Sequence, residues 1–372
     1  MYYTDITGGQ IDEATKTVIL AINVGRYEDA VKVFELAIDA AKAFLSGSGI
    51  EASIADANCY LPKTVFNLGY YYYVAKDYES AAQTLAGALD AIKINICPIA
   101  YDGEKRSVVI KTAKLLSKIY SENLNDPVRA AQYMQEAACC YDDEALSTVV
   151  NYYRTGYGVP RSERVAQIWE TVLGYNEFSR KYQWDNYFKL ENHKLVGINP
   201  QGGKMSQDVI IPYGVTIIVK MPGLKNVIVP PTVKTVRSGA GLSVPNEVVV
   251  FTGPLDQIED KAFNLNMILE EVYLPPAVCS IGNSAFEACR RLTRVEMPSI
   301  HLGKLGICAF GGCVSLEEIN LDASKIDYVD GSAFLKDEAR IKIKGTAKDT
   351  AGWSEYWNLY APGDYHRIEY VK

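Results

Sequence analysis

The groups able to do chemistry in this chain are three histidines, eight cysteines and 45 carboxylates. Their spacing decides whether they can act together. His193, His301 and His366 lie far apart, with no H-x-x-H or H-E-x-x-H to place two imidazoles on one helix face. His301 reads as a solvated side chain, and His193 as one that can pair with a carboxylate. No C-x-x-C occurs, which argues against a zinc ribbon or redox pair. Gly156-x-Gly158 is followed by Pro160 and lies between two helical stretches, so it is a turn rather than a phosphate cradle. There is no G-x-S-x-G elbow and no calcium-loop spacing. Asp142-Asp143-Glu144 opens a helix, where the macrodipole favours negative charge. The reading is a chain with no catalytic residues, no cofactor and no metal.

The elements that would position any site must therefore be read for binding. A chain of 372 residues with 48% hydrophobic and 22% charged residues is globular and long enough for two domains. The net charge of -7 argues against nucleic-acid partners, which need a basic face. No apolar run reaches the roughly 18 residues of a spanning helix. Met1-Tyr2-Tyr3-Thr4-Asp5 has neither a basic region nor an apolar core, so a signal peptide is not expected and a cytoplasmic location is; a leader already removed would leave an exported protein looking the same.

The organising stretch runs from Ile258 to Ile343. Ala262-Phe263, Ala285-Phe286, Ala309-Phe310 and Ala333-Phe334 recur with steps of 23, 24 and 24 residues (263 to 286, 286 to 310, 310 to 334). Within one row, Leu292, Val295 and Met297 put the last two apolar side chains on one side of a short strand, with Arg294 and Glu296 on the other. A fixed period in the low twenties marks a leucine-rich-repeat solenoid, whose coils bury one another's apolar faces. Cys289 and Cys313 share one repeat position and are expected as reduced, buried core residues.

Ile281 to Pro298 resembles, almost residue for residue, the repeat of the BspA-like leucine-rich-repeat family of bacterial and protozoan proteins. The resemblance covers roughly residues 205–372. It implies a solenoid, a binding role and no catalytic residues.

From Asp12 to about Tyr175 the apolar period is helical. A first hairpin is expected around Ala30, Phe34 and Ala37. Leu68-Gly69-x-x-Tyr72 with Ala81, Leu85 and Ala88, and then Leu116-Ser117-x-x-Tyr120 with Ala130, Met134 and Ala137, carry the small-residue spacing of close antiparallel helices and resemble tetratricopeptide repeats. Tyr153, Gly156, Gly158-Val159, Ala166 and Trp169 resemble the related Sel1-like repeat, with Ser162 as a helix cap. In Tyr70-Tyr71-Tyr72-Tyr73, Tyr72 fits the core, while the others either line a groove or pack between repeats. Residues 176–197 read as one more helix, aromatic on its buried side. The junction is expected at Asn199–Gly203. Trp353–Trp357 reads as a short helix and Ile368–Val371 as a last strand, together capping the array.

The fold class is α+β: a helical-repeat solenoid over 1–198, then a leucine-rich-repeat β-solenoid over 199–372. A protein-binding stripe is expected on the outward side of the repeat strands: Asn226, Ile228, Glu247, Val249, Glu271, Tyr273, Arg294, Glu296, Glu318, Asn320, Arg340 and Lys342. Its early end is apolar, which marks either an exposed contact patch or a face covered by the 176–197 helix. The function expected is a monomeric, non-enzymatic protein or peptide scaffold, with a secreted or surface adhesin as the alternative.

Overall fold

Small residues at close-packed positions let backbones approach, and both the helical pairs and the β-coils of this chain depend on that. The computed structural model describes residues 66, 69–70, 72–73, 75–94, 103–199, 207–242, 244–275, 277–297, 301–335, 340–345, 348–361, 364–365 and 368–371. The expected first hairpin, Cys59, Cys97, Tyr71, His366 and most of the Asn199–Gly203 junction lie outside the described residues. Packing divides the chain into two compact units between Ala137 and Ala138. The change of period near residue 199 therefore falls inside the second unit.

In the first unit, helical residues 66, 69–70 and 72–73 precede a turn at Lys76 that leads into α1 (Tyr78–Ile94). A Cβ on Gly69 would lie 2.4 Å from Leu85 Cγ, so only glycine permits this approach. Ala81 and Leu85 are fully buried against it, as the spacing predicts. α2 (Glu104–Glu122) and α3 (Pro127–Cys139) form the next pair. Ser117 Oγ donates to the Ala130 carbonyl across their contact at 2.8 Å. Asp126 accepts from the Arg129 amide at the start of α3, with Pro127 in the first helical position.

The second unit opens with the hairpin of α4 (Asp143–Thr155) and α5 (Glu163–Leu173). Asp142 and Ser162 cap them by accepting from the Ala145 and Val165 amides, and Gly156 ends α4 at φ 81°. Residues 176–197 are not one helix. α6 (Glu177–Tyr182) passes into a π turn (Gln183–Tyr187) and then into an antiparallel hairpin, β1 (Phe188–Glu191) and β2 (Lys194–Ile198). The reason is the two-residue turn Asn192-His193, both at positive φ, a geometry that favours tight hairpins. The aromatic run masks the alternation around it.

Short strands then alternate between two sheets: β3 (Asp208–Ile210), β4 (Ile217–Ile218), β5 (Asn226–Val229), β6 (Thr235–Val236), β7 (Val248–Phe251), β8 (Leu255–Ile258), β9 (Glu271–Tyr273), β10 (Ala277–Ile281), β11 (Arg294–Glu296), β12 (His301–Leu305), β13 (Glu318–Asp322), β14 (Ile326–Val329) and β15 (Arg340–Lys344). The tail adds β16 (Leu359–Ala361), β17 (Asp364–Tyr365) and β18 (Ile368–Val371). One sheet runs β1-β2-β4-β6-β8-β10-β12-β14, so the β1–β2 hairpin caps its first edge. The opposite wall is β3-β5-β7-β9-β11, continued by a separate sheet β13-β15-β18. All pairings in both walls beyond β1–β2 are parallel.

Between the walls, Phe263, Phe286, Phe310 and Phe334 are fully buried and stack with centroids 5.0, 5.1 and 6.1 Å apart and planes within 5°. Each of the first three donates its amide to the alanine carbonyl one coil on: Phe263 to Ala285, Phe286 to Ala309, Phe310 to Ala333. Gly241 ends the stack, since its Cβ would meet the Phe263 ring at 2.1 Å. Cys289 and Cys313 are buried thiols, and each donates to the Phe carbonyl one coil back, Phe263 and Phe286, at 3.2 and 3.1 Å. Asn266 does the same to the Gly241 carbonyl at 2.9 Å. The expected helix at Trp353–Trp357 is instead a run of turns. It serves as a final coil, with the Tyr356 carbonyl accepting from Ser332 N and Ser354 N donating to the Val329 carbonyl.

Phe286→Ala removes the middle of the ring stack and leaves a cavity. It should cost about 3–5 kcal/mol in denaturant unfolding followed by tryptophan fluorescence; a loss under about 1 kcal/mol would show that the coils do not depend on the stack.

Candidate functional site

Side chains alternate across a strand, so register decides which residues leave the core. Val209, Val227, Val249, Val272 and Val295 form one rung line across β3 to β11, and all five belong to the core. The outward lines are therefore Asp208-Asn226-Val248-Glu271-Arg294 and Ile210-Ile228-Val250-Tyr273-Glu296. Val249, expected to face out, instead faces in and is fully buried. The run Val248-Val249-Val250-Phe251 has no polar residue to set its parity, so the sequence leaves it open to a slip of one residue. Glu247 sits just before β7 rather than on it.

The early outward face is apolar and covered. Ile210, Ile228, Val248, Val250 and Tyr273 are all at most 3% exposed, and Asn226 is 7% exposed. The cover is the α4–α5 hairpin, not residues 176–197. Tyr273 meets the Tyr153 ring edge-on at 6.5 Å and donates to Ser162 Oγ at 2.8 Å and Glu271 Oε2 at 2.6 Å. Cys139 Sγ lies 3.5 Å from Thr252 Oγ1, and Tyr175 donates to the Asp208 carbonyl at 2.9 Å. Burial raises the pKa of all three tyrosines above the ordinary phenol value, so they stay neutral.

At the centre is Arg164 of α5, which sequence reasoning did not single out. Its guanidinium donates to Glu271 Oε1 at 2.9 Å and to Glu247 Oε2 and Glu270 Oε2 at 3.0 Å. Lys225 reaches Glu247 at 3.3 Å, and Arg291 pairs with Glu270. The signal available in the sequence is three glutamates, Glu247, Glu270 and Glu271, at the start of two successive rungs. The cover ends at β11, where Arg294 donates to the Arg161 carbonyl and to Glu296 Oε1 while lying over the Tyr273 ring.

Beyond β11 the outward line is hydrated. Ile319 and Ile341 face in, so Glu318, Asn320 and Lys342 face out, with Asn320 and Glu369 exposed. Lys342 pairs with Glu318 at 2.8 Å and Lys344 with Asp322 at 3.4 Å. Arg340 is in register with Glu318, and its side chain lies outside the described residues. Among the described residues, no three His, Cys, Asp or Glu side chains are grouped to hold a metal. His301 pairs with the exposed Asp327 at 3.7 Å, and His193 sits in the β1–β2 turn. No helix among the described residues is long and apolar enough to cross a membrane.

Residues 243–347 match the BspA type leucine rich repeat region in six copies. The repeats are thus shown from β7 to β15, and repeats of this type generally mediate protein–protein interaction. Among solved structures, the chain is similar to a leucine-rich repeat protein from Bacteroides ovatus, at 14% identity and a TM-score of 0.18. The likeness covers 44% of this chain and 66% of that one, just under two thirds of its length. Among curated proteins none matches.

Two substitutions separate the inward and covered positions from the open ones. Val249→Lys places a charge in the core and should unfold the second unit, a loss of more than about 3 kcal/mol. Arg164→Met leaves three carboxylates facing one another and should cost about 2 kcal/mol, an effect that shrinks in high salt. Urea titrations at low and high salt check both; a silent Val249→Lys would overturn the register of β7.

Proposed function

We propose that this chain is a non-enzymatic interaction scaffold whose repeat unit takes a protein partner on the open part of its strand face. The observation that carries this is the break in the outward line. From β3 to β9 the chain covers its own apolar rungs, and from Arg294 onward the same line turns charged and solvated. Arg294, Glu296, Glu318, Asn320, Arg340 and Lys342 are the part of the stripe that remains for a partner. Charged rungs of both signs favour a polar partner surface and set register more than raw affinity.

The helical hairpins support a second surface of the same kind. Gly69 against Leu85 and Ser117 against Ala130 support a tetratricopeptide-like reading, and the Gly156 turn with the Ser162 cap supports a Sel1-like one. The BspA type match keeps a surface or secreted adhesin as the second reading. Cell fractionation with protease shaving of intact cells separates an internal scaffold from an exported one.

Lys342→Glu replaces the diagonal Glu318 ion pair on the open face with two glutamates. Stability should change by less than about 0.5–1 kcal/mol, while retention of partner proteins by the immobilised chain is lost. Identical retained proteins for wild type and variant, with both folded by circular dichroism, would remove the open strand face from the proposal.

A further inference from the structure

The turns that carry the stacked phenylalanines also carry a column of left-handed residues: Leu265 at φ 57°, Ala288 at φ 59° and Gly312 at φ 73°. Backbone bonds tie successive turns together, with Leu265 N donating to the Glu287 carbonyl at 2.8 Å and Ala288 N to the Gly311 carbonyl at 2.7 Å. This conformation suits glycine and strains a bulky side chain. The chain nonetheless places a leucine there, and that leucine is 52% exposed, so it adds little to the core. It has company. Met267 and Ile268 of the same turn, Leu242 one coil back and Val314 two coils on are each between 36 and 50% exposed. Asn266 donates to the Gly241 carbonyl beside Leu242 at 2.9 Å, and Met267, Arg290 and Val314 directly follow the aligned Asn266, Cys289 and Cys313. The five apolar side chains therefore run as a strip along the edge where the chain crosses from one strand wall to the other.

We infer that two copies of this chain pack on each other through this strip, about a two-fold axis. Leu265 is the reason to look for an occupant: its backbone strain brings the fold no buried contact in return, and strain kept at an exposed position points to a use outside the fold. Charge selects the occupant. Lys261 and Arg290 lie beside the strip, exposed and without an ion-pair partner among the described residues. Asp260, Glu287 and Glu317 lie beside it as well. The rim therefore carries both signs and no positive excess, in a chain of net charge -7, which disfavours an anionic bilayer. An apolar centre with both signs at its rim suits a rotated copy of itself, because a two-fold contact sets each rim residue against a different residue of the other copy. Five part-exposed side chains cover a small area, so the dimer is weak and reversible. It replaces the monomer expected from the sequence. The strip is separate from the open rungs of β13 and β15, so the partner reading of that face and this one can fail independently.

The test is sedimentation equilibrium of the full chain over a range of concentrations. Wild type should show a reversible monomer–dimer equilibrium that stops at twice the chain mass. Met267→Asp, which sets a charge in the strip at an exposed position, should raise the dissociation constant about tenfold or more. Leu265→Gly should weaken association by a few-fold while leaving the melting temperature unchanged or higher, because glycine relieves the left-handed strain. That second readout separates a contact residue from a structural one. Phe178→Ser, at the most exposed large apolar side chain among the described residues, and Lys342→Glu should leave the equilibrium as it is. A monomer at every concentration, open-ended growth past the dimer, or a dimer that Met267→Asp leaves intact would each overturn the inference. So would a fall in melting temperature for Leu265→Gly, or a dimer dissolved by Phe178→Ser. Monomers that instead sediment with phosphatidylserine vesicles, and lose this with Met267→Asp, would give the strip to a bilayer and likewise overturn it.

Discussion

The amide of each buried phenylalanine from Phe263 to Phe310 bonds to an alanine carbonyl one coil on, and the rest of the second unit depends on that spacing. A coil-to-coil distance near 5 Å brings Phe263, Phe286 and Phe310 into parallel stacking and leaves no room for a Cβ between turns. Gly282 and Gly306 follow from it, since a Cβ there would meet the backbone of the preceding coil, at 2.5 Å from Asp260 N and 2.7 Å from Asn283 N. The same spacing brings the phenylalanine carbonyls within reach of Cys289 and Cys313. Each of those carbonyls also accepts a turn amide, from Asn266 N at 3.0 Å on Phe263 and from Cys289 N at 3.2 Å on Phe286, so the thiol is a second, weaker donor on a small side chain that fits between coils.

Stacked coils create a second demand at the strand wall. Ile210, Ile228 and Val250 line up into an apolar stripe that water would meet if nothing covered it. The α4–α5 hairpin covers it, with the buried Tyr153 ring edge-on to Tyr273 and Ser162 accepting from Tyr273, and Arg164 gathers the carboxylates at its margin. Burying each large apolar side chain contributes about 1.5–3 kcal/mol, whereas the part-exposed ion pairs contribute less. The apolar contact therefore holds the hairpin down, and Arg164 sets where it sits. This is why the last helices belong by packing to the repeats although their sequence period belongs with the helices before them.

Most of the solenoid is legible in the sequence because its rows repeat with polar residues between the apolar ones. The Ala-Phe pairs and the rung line through Val272 and Val295 lie where the period puts them, and the final strand Ile368–Val371, read as part of a cap outside the period, pairs with β15. Three features are hidden for separate physical reasons. The valine run 248–251 has no alternation, so its parity comes only from pairing with β5. The hairpin at Asn192-His193 lacks the glycine that usually announces such a turn, and positive φ at both residues appears only in three dimensions. Arg164 is one of many charged residues on an amphipathic helix, and its partners come from 83, 106 and 107 residues further on. The apolar stripe itself is legible; the element covering it is not, because a cover is a tertiary choice among several amphipathic helices.

The contrast along the strand wall also decides where exchange with a partner is cheap. An apolar rung under the hairpin can meet a partner only after the hairpin leaves, which uncovers several side chains worth kilocalories each. On β13 and β15 the cross-strand pairs Glu318–Lys342 and Asp322–Lys344 have part of each side chain in water. Pairs of that kind are worth at most about 1 kcal/mol, so an incoming group can replace one member at little cost. The open rungs keep their fold through Ile319 and Ile341 on the other side of the sheet. Recognition chemistry there can therefore vary without touching the core, a separation that the covered rungs, buried on both faces, do not have.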